Sequence, residues 1–418
     1  MTTQTTAPSP VCIYCEGPGP FSDEHVISAG LGADDDRYLL VDMVCKRCNT
    51  DVLGKLELEV LRCSPIAIGR AFMQPHGRDR GKRTAAPGIQ ARRKQMASPS
   101  GYPHEIDFGQ HAQPIVLPQL KITGEKKFDY AAAGPDELHS FVMSLSTLLQ
   151  GDQVTCIRKR GPEHELRYET IIMLRSGETF TQADESSFQA KPPRNGLWLE
   201  SCDGVGSESM TPAATILQNL NGSIVLKTST ATVEGALNLF VQAIAKFPFD
   251  SHVTRDIEGP IVAMEMTVTV GAMERVIAKI GINLLAYYLG RDYVTDPGFQ
   301  QVKDSILTGT PRLSAGIIED ASIQSILDAA PENHHVFCLS KASQPGGRAT
   351  IKMIAKLYGA AQNMVLALDV PEPNLPLPVF FLVDYLNHKV KQWSLYDYSE
   401  HLVKTGMSEA QARHGSTE

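Results

Sequence analysis

Two short cysteine pairs stand near the start of the chain, Cys12-Ile13-Tyr14-Cys15 and Cys45-Lys46-Arg47-Cys48, with 29 residues between them. A C-x-x-C turn aims two thiolates at one point, and two such turns close a tetrahedral site. Zinc suits four soft sulfur ligands with no fifth position. Between the pairs lies one histidine, His25, in the run Asp23-Glu24-His25-Val26-Ile27, and Asn49 follows the second pair at once. Hydrolysis of a phosphodiester needs a base to take a proton from water and a cation to stabilise charge on the phosphate. A neutral imidazole can serve as that base at pH 7, and side-chain oxygens can hold a hard divalent ion. A zinc ribbon with no chemistry of its own remains open as a second reading, and Asn49 is also a good helix cap.

The order Cys12, Cys15, Glu24-His25-Val26, a Gly-containing turn at Leu31-Gly32, then Cys45, Cys48 and Asn49 resembles the HNH endonucleases. These are the ββα-metal superfamily, here in the branch pinned by two CxxC zinc turns. The resemblance covers about 50 residues. It implies a structural zinc on Cys12, Cys15, Cys45 and Cys48. It implies His25 as the catalytic general base, with Glu24 and Asn49 as catalytic ligands of a Mg²⁺ or Mn²⁺ ion. It implies an endonuclease of the restriction or phage-defence kind, acting on DNA rather than RNA. The sequence departs from the pattern in three places. Glu24 stands where Asp is more common, Ser28 stands in a Pro position, and the central Asn is missing. Of the acids in the window (Asp34, Asp35, Asp36, Asp42), Asp42 is the substitute considered for it.

The elements that must position these residues are a strand through His25 and a helix after Asn49, with apolar Val52, Leu53, Leu56 and Val60 facing a core. The expected fold class is α+β: a small zinc-stabilised ββα domain over 11–62, then a larger mixed region over 105–408. Residues 63–104, rich in Gly, Pro and Arg, read as a connector with little regular structure. The ends, 1–10 and 409–418, read as disordered tails. Helices are expected over 136–151, 233–247 and 272–290, the last ended by Gly290. Strands are expected at 115–123, 167–180, 333–340, 363–370 and 377–385. His334-His335 reads as one exposed and one packed side chain, and the Gly-rich run from Ser343 as a surface turn.

With 418 residues the chain is long enough for two or three domains. Its eight cysteines cluster early, five of them by residue 63, which favours a local metal site in a reducing compartment over a disulfide framework. The most apolar run, 276–289, is broken by Lys279 and Asn283, so no membrane span is expected, and the cytoplasm is the expected location. Net charge is -8, yet 62–94 holds nine Lys and Arg against one acid, Asp79. Local potential is what a phosphate backbone feels. Arg78, Arg80, Lys82, Arg83, Arg92, Arg93 and Lys94 are therefore the expected contacts to nucleic acid, with double-stranded DNA as partner. For the large region, substrate recognition, self-association as a homo-oligomer and binding of a small-molecule ligand all stay open.

Overall fold

The computed structural model describes residues 10–34, 36–74, 87–97, 103–123, 127–161, 167–193, 195–201, 212–229, 232–247, 259–313 and 315–415. The architecture is mixed α+β. The chain divides into two compact units. The first joins Met1–Gln90, Gln110–Ala112 and Met266–Glu418; the second joins Ala91–Gly109 and Gln113–Glu265.

The first unit begins with an antiparallel hairpin, β1 (Phe21–His25) and β2 (Leu39–Cys45). A π-helical turn over Arg47–Leu53 runs straight into α1 (Gly54–Arg62). The Gly54 N–H bonds the carbonyl of Asn49, five residues back. A Cβ at Gly54 would come within 3.2 Å of that carbonyl, so the wide turn has a reason for glycine there. Helix α2 (Pro65–Met73) follows, with Pro65 in its first turn and the Ser64 hydroxyl accepting the Ile66 N–H at 3.1 Å.

The later part of this unit supplies α3 (Val270–Leu289), α4 (Gln300–Thr308) and a six-stranded sheet. The sheet order is Ala315–Ile317, Ala360–Pro371, Arg348–Leu357, His334–Gln344, Val379–Asp384 and Lys389–Ser394, all antiparallel. Helix α3 is buried along most of its length, and Gly290 after it has φ 93°. Ile13, Tyr14, Val26, Leu56 and Val60 share one apolar cluster with Ile277, Ile280, Leu284, Phe337 and Ile351. Segment 11–62 is therefore packed into a core built with residues more than 200 positions away, which differs from the boundary expected at residue 62. Size is the physical reason: a chain of this length buries too little apolar surface by itself.

The second unit is built on an eight-stranded sheet. Its order is Thr179–Gln189, Arg167–Ser176, Gln153–Arg160, Leu197–Ser201, Ile224–Thr228, Ala214–Gln218, Gln119–Ile122 and Phe128–Ala131. Leu197–Ser201 runs parallel to both its neighbours. Helices Pro135–Gln150 and Val233–Ala245 bury Phe141, Leu145, Leu237 and Phe240 in this unit's core. A smaller sheet pairs Ile261–Glu265, Arg93–Ala97, His104–Phe108 and Pro114–Val116.

The expected connector over 63–104 is thus corrected. It contains α2 and the strand Arg93–Ala97, and Ile66, Ala67 and Ala71 supply α2 with a buried face. The C-terminal segment is also helical, over Leu395–Gly415, further than a tail from 409 allows. The turn at Gly346 and Gly347 closes a hairpin, with both glycines at positive φ, as a surface turn should. No helix among the described residues is long and apolar enough to cross a membrane.

His335 is fully buried in the six-stranded sheet, its ring 4.4 Å from Tyr358 and 4.7 Å from Tyr385. Burial first, and the neighbouring His334 second, pull its pKa down from 6.5 to about 3. Above pH 6.5 the ring is neutral in both folded and unfolded chains. Between 6.5 and 3 only the unfolded chain takes the proton, so stability falls as pH falls, by up to about 1.4 kcal/mol per pH unit. His335→Phe should flatten the pH dependence of the urea midpoint between pH 6.5 and 4 by about one proton's worth. Equal slopes in the two proteins would show that His335 carries no such penalty.

Candidate functional site

The first cysteine turn lies on β2. The Ile13 N–H bonds the Met43 carbonyl at 2.9 Å, and Cys45, the last residue of β2, pairs with Phe21. Cys48 enters from the π-helical turn. The sulfurs of Cys12, Cys15, Cys45 and Cys48 all lie within 4.8 Å of one another. Backbone N–H groups already face them: Cys45 donates to Cys12 Sγ at 3.4 Å and Cys48 to Cys45 Sγ at 3.5 Å. The hydrogen bond between Cys12 and Cys48 holds the first thiol down and pushes the second up, while burial raises Cys15. Four soft donors close to one point, with N–H groups directed at them, fit a structural zinc ion. It is the one group of its kind among the described residues.

His25 ends β1, paired with Leu39. The Asn49 side chain crosses to the same strand, its Nδ2 donating to the Asp23 carbonyl at 2.9 Å. The fold thus brings Asn49 to the strand that holds Asp23, Glu24 and His25.

Glu24 points the other way. It is 4% exposed, and its Oε1 is ion-paired with Lys279 Nζ and accepts Asn283 Nδ2 at 3.3 Å. Lys279 has no exposed surface, and its Nζ also reaches Glu57 Oε1 at 2.6 Å and the His25 carbonyl at 3.2 Å. Asn283 donates to the same His25 carbonyl at 2.9 Å, and its Oδ1 accepts the Tyr14 hydroxyl at 2.6 Å. Ser28 donates to Glu57 at 2.5 Å.

The charges follow this wiring. Burial pulls the Lys279 ammonium down, but Glu24 and Glu57 outweigh it and hold its pKa above the ordinary value. Burial raises the Glu24 carboxyl above its usual range despite Lys279. Burial also pushes Glu57 up, yet Lys279, Ser28 and the charge of His25 bring it below its usual range. His25 and Glu57 therefore feel one another.

As a ligand of Mg²⁺ or Mn²⁺, Glu24 does not fit. Its carboxylate is enclosed and already neutralised by an ammonium, whereas a hard ion needs open oxygens and room for waters. Asp42, considered as the substitute for the missing Asn, sits beside the β1–β2 irregularity with φ 57°, its carbonyl bonded by Arg291.

Of the expected nucleic-acid contacts, Arg78, Arg80, Lys82 and Arg83 lie outside the described residues. The other three lie in the second unit's small sheet or beside it. Lys94 is ion-paired with Asp107, and Arg92 and Arg93 face Glu265 at 3.5 and 4.0 Å. Arg93 and Lys94 keep only 15% and 20% of their side chains exposed, so the strand has spent these charges on its own acids. In the first unit, a cleft of about 770 Å³ opens where Tyr287 stacks on Tyr38 at 5.0 Å, bordered by Arg37, Lys389 and Lys391.

Lys279, Asn283, Glu57, Ser28 and Tyr14 were not among the residues expected at the site. The one signal for the first two was that they interrupt an otherwise apolar helical run, four residues apart and so on one helix face. No protein-family model, curated protein or solved structure matches this chain.

Two outcomes follow from this wiring. Cys45→Ala should abolish zinc binding and loosen the whole first unit, because 11–62 shares its core with the late helices. Zinc content by atomic absorption and near-ultraviolet dichroism measure both, and retained stoichiometric zinc would refute the ligand set. Lys279→Met should cost ~3–5 kcal/mol in urea unfolding, since it leaves the buried Glu24 and the half-buried Glu57 without their cation. A loss below about 1 kcal/mol, the scale of an exposed pair, would mean that the triad is solvated.

Proposed function

We propose that the first unit carries an endonuclease site that hydrolyses phosphodiester bonds, with His25 as general base and zinc holding the fold around it. The observation that carries this reading is the Asn49 side chain bonded to Asp23 at 2.9 Å, beside the cluster of four cysteines. A zinc ribbon alone has no need of an amide tying the helix start to the strand of a histidine. The bonds from Lys279 and Asn283 to the His25 carbonyl support it further, because they fix the main chain of the residue that would act as base.

In this mechanism an imidazole nitrogen of His25 takes a proton from water. The oxygen bonds to phosphorus, and the P–O bond to the leaving oxygen breaks. The cleft that holds Tyr38 and Tyr287 is lined by Arg37, Lys389 and Lys391 together with Asp34 and Asp36, and its tyrosines offer a surface on which a base can stack. No step is assigned to a divalent ion on Glu24, whose role here is structural.

The enclosure of Glu24 favours a second reading, a non-catalytic zinc module that binds nucleic acid or another protein. Incubating the full chain with plasmid and with RNA, in Mg²⁺ or Mn²⁺ and in EDTA, separates the two. On the nuclease reading the wild type cleaves, and His25→Ala lowers the rate by ~10²–10⁴ with zinc content and folding unchanged. Glu24→Gln should lower stability, and added divalent ion should not restore it. A wild type that binds but never cleaves, or a His25→Ala variant as fast as wild type, would hand the site to the second reading.

A further inference from the structure

Lys303, on α4, is completely shielded from solvent, and its Nζ has no hydrogen-bond partner among the described residues. A buried ammonium without a counter-charge is costly enough that folded chains avoid it. Burial pulls its pKa below the ordinary value, and the anionic groups that pull the other way are Glu16, Asp304, Cys12 and Asp296. None of the carboxylates among them is a hydrogen-bond partner of the Nζ. Its helix neighbours Val302 and Ile306 share one core cluster with Cys12, Cys45 and Cys48, and α4 packs against the very turn that carries Cys48.

We infer that Lys303 is the counter-charge of a zinc–tetrathiolate centre. Four thiolates on one Zn²⁺ leave a net charge of two minus, and that charge is nearly as expensive to bury as the ammonium. Placed together in a region of low dielectric, each offsets the desolvation of the other. The ammonium touches no sulfur within hydrogen-bond distance, so it acts through its field on the whole centre. Its field favours thiolates over thiols and stabilises the net negative charge of the filled centre, so zinc competes better with protons for the sulfurs.

This inference depends on zinc filling the four-sulfur site, and the zinc content of the wild-type chain tests that premise by itself. The further test uses the full chain as wild type, Lys303→Met, Lys303→Arg and Glu16→Gln. Zinc affinity is measured by competition with a chelator of known affinity, and folding by circular dichroism with and without zinc. Loss of an outer partner of a metal centre typically costs 10–100-fold in affinity, so Lys303→Met should hold zinc at least ~10-fold more weakly. Lys303→Arg, which keeps the charge, should stay nearer to wild type, and Glu16→Gln should change zinc affinity little. Without zinc, Lys303→Met should be at least as stable as wild type, because an unpaired buried charge has been removed. Equal zinc affinity in wild type and a folded Lys303→Met overturns the inference. So does an Lys303→Arg variant as weak as Lys303→Met, or a loss that only Glu16→Gln reproduces. A wild type that binds no zinc overturns it together with its premise.

Discussion

The ammonium of Lys279 is the point on which the first unit turns. It has no access to water, yet it carries charge, so it must find anions inside the protein. Glu24 on β1 and Glu57 on α1 supply them, and the His25 carbonyl takes a further donor bond. Apolar contacts tolerate a helix that slides or rotates by a fraction of a turn. A buried charge with two named partners does not, because any other register leaves ions unpaired in a low dielectric. The pairs thus set the position of α3 against the hairpin, and Asn283, one turn further on, adds a second bond to His25. The same contacts that stabilise the fold thereby fix the main chain of the residue proposed to act on water.

The four-cysteine cluster and the triad do complementary work on this small segment. The four sulfurs fasten the residues before β1 to the end of β2 and the start of the helix, a connection local in sequence. The triad fastens the same hairpin and helix to α3, across 222 to 259 residues of chain. Close approach completes the seal: a Cβ at Gly32, φ 79°, would lie 2.6 Å from Tyr385, in the turn after the late strand Val379–Asp384. Neither connection substitutes for the other, since one holds the segment's own parts and the other holds the segment to its core.

What could be read from the sequence divides along the same line. The cysteine cluster was legible because ligand spacing is a local property: two residues between thiolates make a turn of known shape. Helix α3 was legible because Val276, Ile280 and Leu284 repeat at helical spacing, and Gly290 ends it. Asn49 was placed beside the His25 strand by motif order, and the structure brings it there. Pairings over hundreds of residues leave no such trace in one sequence. Glu24 looked like a metal ligand because nothing near it in the chain reveals an ammonium 255 positions later. In the sequence Lys279 and Asn283 read only as breaks in an apolar run, although two polar residues one turn apart inside a buried helix are what a buried polar network looks like from outside. The basic stretch shows the reverse error. Its charges were plain, but Glu265 and Asp107, which neutralise part of it, reach it only through sheet pairing.

Taken together, α3 and α4 bring two buried lysines to the N-terminal segment, Lys279 against carboxylates and Lys303 on the helix that packs against the turn of Cys48. The segment presents anions inward, and the late helices present the matching cations. Such an interface is no stronger than a well-packed apolar one, and by itself need not be as strong. What it adds is exclusivity. Removed from residues 266–418, the segment would keep Glu24 and Glu57 without their cation and an apolar face without a partner. The late helices alone would keep Lys279 without the two carboxylates that receive it. Each part is therefore costly without the other, and the His25 site belongs to the assembled unit and not to the fifty residues in which its motif is written.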